Sequence, residues 1–215
     1  MRVFLLHGMG RTPASMGLMA LRLRLDGHRP NLFGYFVVRE ELDAIAERFR
    51  ERVERVVAED RAQGDAEGYC VVGHSLGCVI TRMASPHLPQ GFRRFVMLTP
   101  PNRPPAIARA LADNKVFQAL SRDAGRQLVD DGFFDTLPRP DVPTLVIAGS
   151  AGPRHPLHPA GSSDNDGILG VDEMRLDGAP LLQVPALHTF VMNRGDVYDA
   201  VLSFFETGRV PAEAA

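Results

Sequence analysis

Tyr69-Cys70-Val71-Val72-Gly73-His74-Ser75-Leu76-Gly77-Cys78-Val79-Ile80-Thr81-Arg82-Met83-Ala84 is the stretch that decides how this chain folds. At its centre stands a G-x-S-x-G segment, Gly73 to Gly77, with an apolar run before it and a helix-like run after it. That context distinguishes a nucleophile elbow from a chance match. The chain leaves a buried strand, turns sharply and enters a helix, which forces Ser75 into a strained backbone conformation. Small residues two before and two after the serine let strand and helix approach closely. The hydroxyl then projects over the sheet edge, and the first amides of the helix point towards it.

Outward from the elbow, strand-like and helix-like segments alternate, the pattern of a parallel sheet with helices on both faces. Val3–Leu6 reads as a first strand, Pro13–Leu25 as a helix, Asn31–Val38 as a second strand and Glu40–Ala62 as a long amphipathic helix. Beyond the elbow, Phe95–Leu98, Pro143–Ala148 and Leu181–Val184 read as strands and Asp196–Phe205 as a closing helix. Residues 107–134 are helical in character, broken around Gly125 and Gly132, and 149–170 form a long polar loop. No repeat or linker divides the chain. The expectation is one domain over 1–215, with about 101–140 as a small helical lid or insertion within it.

Composition narrows the function classes. The 215 residues are 45% hydrophobic and 23% charged, with a formal net charge of −2, ordinary for a globular protein with a sizeable core. That balance gives no reason to expect nucleic acid as a partner. No apolar stretch approaches the roughly 20 residues that span a bilayer. The apolar Met1–Leu6 run is too short for a signal peptide, so a cytoplasmic location is expected. Cys70 and Cys78 flank the serine and read as buried, inert thiols.

A serine hydroxyl needs a base, and the base needs a carboxylate to fix its tautomer. On this architecture the chain order is Ser, Asp or Glu, His, each after a strand. His188, in the turn after Leu181–Val184, stands where the base belongs. His7 and His74 adjoin motif glycines and read as structural, while His28 and His87 fall in exposed turns. His155 and His158 lack the spacing and further ligands of a metal site, so neither metal nor cofactor is expected. For the carboxylate, Asp166 in Ser163-Asp164-Asn165-Asp166-Gly167-Ile168 can turn one edge towards an imidazole, with Asp164 as fallback and Asp172 further on. The donors for a tetrahedral oxyanion would be the amides of Leu76 and of Met9, in the Gly8-Met9-Gly10 loop. That loop lacks the third glycine of a dinucleotide site, and neither glycine segment continues as G-K-[ST].

With these parts in one order, the chain resembles the α/β-hydrolase superfamily, particularly its small bacterial lipase-like and esterase-like members. His7-Gly8-Met9-Gly10 is similar to the oxyanion loop of that group. Leu98-Thr99-Pro100-Pro101-Asn102-Arg103 is similar to its post-strand loop, and Asn165-Asp166-Gly167 to its catalytic-acid loop. Two features depart from the pattern. Cys78 stands where many relatives carry another glycine, and the sheet begins directly at the oxyanion strand, without an antiparallel hairpin. The resemblance implies a minimal, mostly parallel α/β-hydrolase fold with Ser75 as nucleophile, Asp166 as orienter and His188 as base. An apolar acyl pocket is expected, lined by Met9, Leu76 and residues of 107–134, Phe117 among them, with Phe190 and Val191 near its mouth. The expected reaction is hydrolysis of a small carboxylic ester with a short to medium acyl chain. Thioester hydrolysis and acyl transfer would use the same triad, and a non-catalytic binding module is the reading from another class.

Overall fold

The computed structural model describes residues 1–65, 67–156 and 158–210; residues 66, 157 and 211–215 of the expected domain lie outside the described residues. Six strands form one sheet: β1 (Arg2–Leu6), β2 (Arg29–Phe33), β3 (Tyr69–His74), β4 (Phe92–Leu98), β5 (Thr144–Gly149) and β6 (Leu181–Val184). Their order is β2-β1-β3-β4-β5-β6, and every pairing is parallel. The chain therefore folds with a wholly parallel sheet among the described residues.

Alternate side chains of each strand serve the two faces, as the period of two requires. Phe4, Leu6, Tyr69, Val71, Phe95, Met97, Val146 and Ala148 face one core. Val3, Leu5, Cys70, Val72, Val96, Leu98, Leu145 and Ile147 face the other. Helices α2 (Leu42–Ala62) and α3 (Leu76–Ala84) cover the first face, burying Ile45, Phe49, Val53 and Ile80. Helices α1 (Gly17–Leu25) and α8 (Gly195–Thr207) cover the second with Met19, Leu23, Val201 and Phe204. In the order along the sheet, β1 and β3 are neighbours whose onward connections diverge to opposite faces. Such a switch point opens a crevice beyond the strand ends.

Three expected boundaries shift, each for a local reason. The second strand runs Arg29–Phe33 and stops before Gly34, whose Cα lies against the Pro13 ring with no room for a Cβ. Tyr35 and Val37 are buried all the same, because the loop turns inward and Tyr35 stacks on His7 at 4.2 Å. The first helix opens as a 3-10 turn, Pro13–Met16, before α1. The 107–134 segment is three helices, α4 (Ala106–Ala110), α5 (Lys115–Leu128) and α6 (Asp131–Thr136). Capping side chains separate them rather than Gly125 and Gly132. Asn114 Oδ1 accepts from the amides of Val116 and Phe117, and Asp130 Oδ1 accepts from Gly132. A short helix that sequence did not suggest, α7 (Val171–Met174), follows the long loop.

Candidate active site

Strand β3 ends at the switch point and delivers Ser75 there. Its backbone sits at φ 52°, ψ −120°, outside the regions open to a residue with a Cβ. The bend is held on both sides: the Ser75 amide donates to Leu98 O at 2.9 Å and its carbonyl accepts from Cys78 N at 2.9 Å. The flanking glycines are required by close approach. A Cβ on Gly73 would stand 2.8 Å from Cys78 N, and one on Gly77 would stand 2.8 Å from His7 O. Gly73, His74, Leu76 and Gly77 are buried, whereas Ser75 alone in the elbow is partly exposed. Among the described residues its Oγ has no hydrogen-bond partner.

Asp166 and His188 meet near His74, the residue before Ser75, whose ring lies 5.0 Å from that of His188. Asp166 is 1% and His188 6% exposed, and His188 Nδ1–H donates to Asp166 Oδ2 at 2.6 Å. Asp166 Oδ1 accepts from the amides of Ile168 (2.9 Å) and Leu169 (2.7 Å), in a turn completed by Gly167 at φ 92°. The His188 amide donates to Asp166 O at 2.9 Å. A carboxylate held this way fixes the imidazole with its proton on Nδ1, which leaves the lone pair on Nε2. Asp164, by contrast, is a surface residue that pairs with Arg154 and accepts from Gln183. Asp172 pairs with Arg175.

Gly8 and Met9 follow β1 on the other side of the switch point. Among the described residues, neither the Met9 amide nor the Leu76 amide is taken by an acceptor. Leu76 N is the first amide of α3, where the positive end of the helix dipole lies. The cysteines are as inert as expected: burial pushes the Cys70 thiol up to about 12 and lifts Cys78 still further.

The remaining expected positions separate. Phe117 lines a cleft of about 860 Å³ between α5 and the loop after β2, together with Val37, Val38, Ser121 and Arg122. Phe190 is exposed, and Val191 is wholly buried in the core under α8. The latter two therefore do not join Phe117 in that cleft. His158 braces the acid loop through Nε2–H to Gly167 O at 3.3 Å. Among the described residues no cluster of three or more His, Cys, Asp or Glu could hold a metal ion, and no helix is long and apolar enough to cross a membrane.

Two sets of supporting residues escaped the sequence reading. Arg82, buried in α3, donates to Asn102 Oδ1 and to the carbonyls of Leu137 and Pro138, and Asn102 in turn donates to Met174 O. This ties the Pro-rich loop after β4 to α7. His74, read as a neighbour of a motif glycine, donates from Nε2 to His188 O at 3.0 Å. Asn102 carried a signal, its place in the Pro/Asn loop. His74 carried none, because its partner is 114 residues away.

Comparison with known proteins agrees with this architecture. The profile of the alpha/beta hydrolase family matches residues 3–206, and the chain belongs to that family. Among solved structures it is similar to the mature lipase BlEst2 of Bacillus licheniformis, with a TM-score of 0.67 and 15% identity over 95% of this chain and 89% of that one. It is also similar to phospholipase PlaB of Legionella pneumophila (TM-score 0.63, 17% identity, 81% of this chain and 45% of that one). A third is the hydrolase olei00960 of Oleispira antarctica (TM-score 0.59, 15% identity, 96% and 91%). At such identities the likeness is one of fold. No curated protein matches the chain in sequence.

Proposed function

We propose that this protein is a serine hydrolase that cleaves small carboxylic esters with short to medium acyl chains through a covalent acyl-enzyme. The observation that carries the reading is the 2.6 Å bond from His188 Nδ1 to a buried Asp166, with the His188 ring 5.0 Å from that of His74, the neighbour in sequence of a strained and partly exposed Ser75. A buried imidazole with its tautomer fixed by a carboxylate is what a general base for a serine requires.

Ser75 Oγ attacks the ester carbonyl carbon while His188 Nε2 takes its proton. The imidazolium so formed is stabilised by Asp166. The oxyanion of the tetrahedral intermediate receives the N–H groups of Met9 and Leu76. Collapse breaks the bond to the alcohol, which leaves with the proton from His188. Water then attacks the acyl-enzyme through the same base and regenerates Ser75. Among the described residues Ser75 Oγ has no hydrogen-bond partner, and such contacts commonly tighten only when substrate binds. The 101–140 segment, with Phe117 on the cleft, serves in this reading as the cover on the acyl side. The lipase and phospholipase structures of similar fold support an acyl-group chemistry.

The test is labelling with a fluorophosphonate probe, alongside turnover of p-nitrophenyl esters of graded chain length. The wild type is expected to label and to turn over the shorter esters, while Ser75→Ala does neither. His188→Ala should lower turnover at least about 10³-fold. Labelling that persists in Ser75→Ala, or a wild type that turns over no ester of the series, overturns the proposal.

A further inference from the structure

We infer that His74 is a positioning residue that sets the distance between Ser75 and His188. The inference rests on the serine-hydrolase reading and adds to it a residue that neither attacks the substrate nor relays its proton. Among the described residues three hydrogen bonds hold His188. Two go to the acid loop: Nδ1–H to Asp166 Oδ2 (2.6 Å) and the backbone amide to Asp166 O (2.9 Å). These two alone make base and acid a self-contained unit, anchored where β5 and β6 end. The third bond, from His74 Nε2–H to His188 O at 3.0 Å, comes from the residue covalently joined to the nucleophile. It is the polar link between the base and the strand that carries Ser75.

The surroundings of His74 suit that task. Its ring is 1% exposed, and it lies 5.0 Å from the His188 ring at an interplanar angle of 51°. Its carbonyl partner can only accept, so Nε2 carries the hydrogen and Nδ1 a bare lone pair. Among the described residues that Nδ1 is buried without a partner. It faces Gly8, where a Cβ would stand 2.8 Å from Nδ1 and 3.1 Å from Ser75 Cβ. His74 is thus wedged among the loop after β1, the nucleophile and the base. Leaving a buried nitrogen unsatisfied carries a desolvation cost, which an apolar side chain of similar size would avoid. The donor on Nε2 is what the apolar side chain would lose. Burial and the neighbouring His188 hold the ring neutral, its pKa well below the usual histidine range. No second positive charge therefore opposes the imidazolium that forms on His188.

The experiment compares His74→Leu, His74→Phe and His74→Gln in steady-state hydrolysis of a short p-nitrophenyl ester, with melting temperature and fluorophosphonate labelling rate measured on each. Leu and Phe keep the bulk and remove the donor, whereas Gln keeps an N–H near the place of Nε2. An ångström of misplacement is worth about 10²-fold in rate. Leu and Phe should therefore lower kcat and labelling rate about 10- to 100-fold with KM within about 2-fold, and Gln should recover most of the loss. Phe supplies the comparison should Leu fail to fold. The downfield proton resonance of the His188–Asp166 bond should persist in every folded variant. An active wild type whose folded His74→Leu or His74→Phe keeps its kcat overturns this inference alone. So does a Gln variant as impaired as Leu at equal melting temperature. A wild type that neither labels nor turns over ester removes the serine-hydrolase reading and this inference with it.

Discussion

Ser75 and Arg122 share one backbone conformation and little else. Ser75 sits at φ 52°, ψ −120° and Arg122 at φ 47°, ψ −120°, each a strain of about 1–3 kcal/mol for a residue with a Cβ. At Ser75 the strain is over-determined. A wholly buried strand enters it, a helix leaves it, and the backbone bonds to Leu98 and Cys78 close it on both sides. Thr99, itself at φ 44°, follows directly on Leu98. At Arg122 the kink interrupts α5 and is tethered from outside. Arg122 Nη1 donates to Val38 O at 3.1 Å, and the next residue, Asp123, accepts from the Leu42 amide that opens α2. The same geometry is thus locked into the core at one place and pinned to a neighbouring loop at the other. Strain that serves chemistry needs the first arrangement, because the aim of one hydroxyl depends on it.

The sharpest way to separate the two is to let glycine relax the elbow. Ser75→Gly removes both the hydroxyl and the Cβ that makes the conformation unfavourable. Turnover is expected to fall at least about 10⁴-fold, while the melting temperature equals or exceeds that of Ser75→Ala. A Ser75→Gly protein that melts below Ser75→Ala would mean the elbow is not strained by its Cβ. The converse change tests the packing. Gly77→Ala places a methyl 2.8 Å from His7 O and from Leu6 Cβ, neither of which can yield without moving β1. A loss of about 1–3 kcal/mol in urea unfolding is expected.

A smaller effect follows from the histidines packed around the elbow. Burial lowers the pKa of both His7 and His74, so the folded protein keeps them neutral while the unfolded chain takes up protons near pH 6.5. The unfolded state then binds more protons, and stability falls as pH falls below about 6.5. Above that value the contribution is fully present. The ion-paired carboxylates, such as Asp60 beside Arg2, lose their contribution only below about pH 4. Between pH 6.5 and 5 the unfolding free energy should therefore decline, with His74 supplying up to about 1.4 kcal/mol per pH unit. His74→Gln should flatten that slope; an unchanged slope would mean the ring is charged in the folded state.

The contrast also marks how far sequence alone could reach. The elbow turn and four of the strands were legible because each is written in adjacent residues. The two residues expected to act with Ser75, Asp166 and His188, lie in hydrogen-bond contact with each other. What escaped is written across distance. Tyr35 and Val37 made the second strand look longer, because periodicity reports burial and here an inward loop does the burying. Breaks in 107–134 were expected around Gly125 and Gly132, whereas the helices part at the caps Asn114 and Asp130 and α5 kinks at Arg122. Val191 was expected near a pocket mouth, but the 3-10 turn that begins there points it into the core. The kink at Arg122 had no sequence signal at all, since nothing in Ser121-Arg122-Asp123 marks a left-handed φ.

That silence makes Arg122 the gentler test. Arg122→Gly relieves the strained φ but gives up the tether to Val38 and adds chain entropy to the unfolded state. With roughly 1–3 kcal/mol of strain on one side, and about 1 kcal/mol each for a lost hydrogen bond and added entropy on the other, the terms nearly cancel. The melting temperature should shift by no more than a few degrees in either direction. Turnover of a short p-nitrophenyl ester should stay within about 2-fold of wild type, because Arg122 touches none of Ser75, Asp166 or His188. A variant that keeps its melting temperature but loses ten-fold or more in kcat would reverse the contrast. It would make the kink in α5 part of the site's working geometry, like the elbow, and not a strain held by its loop.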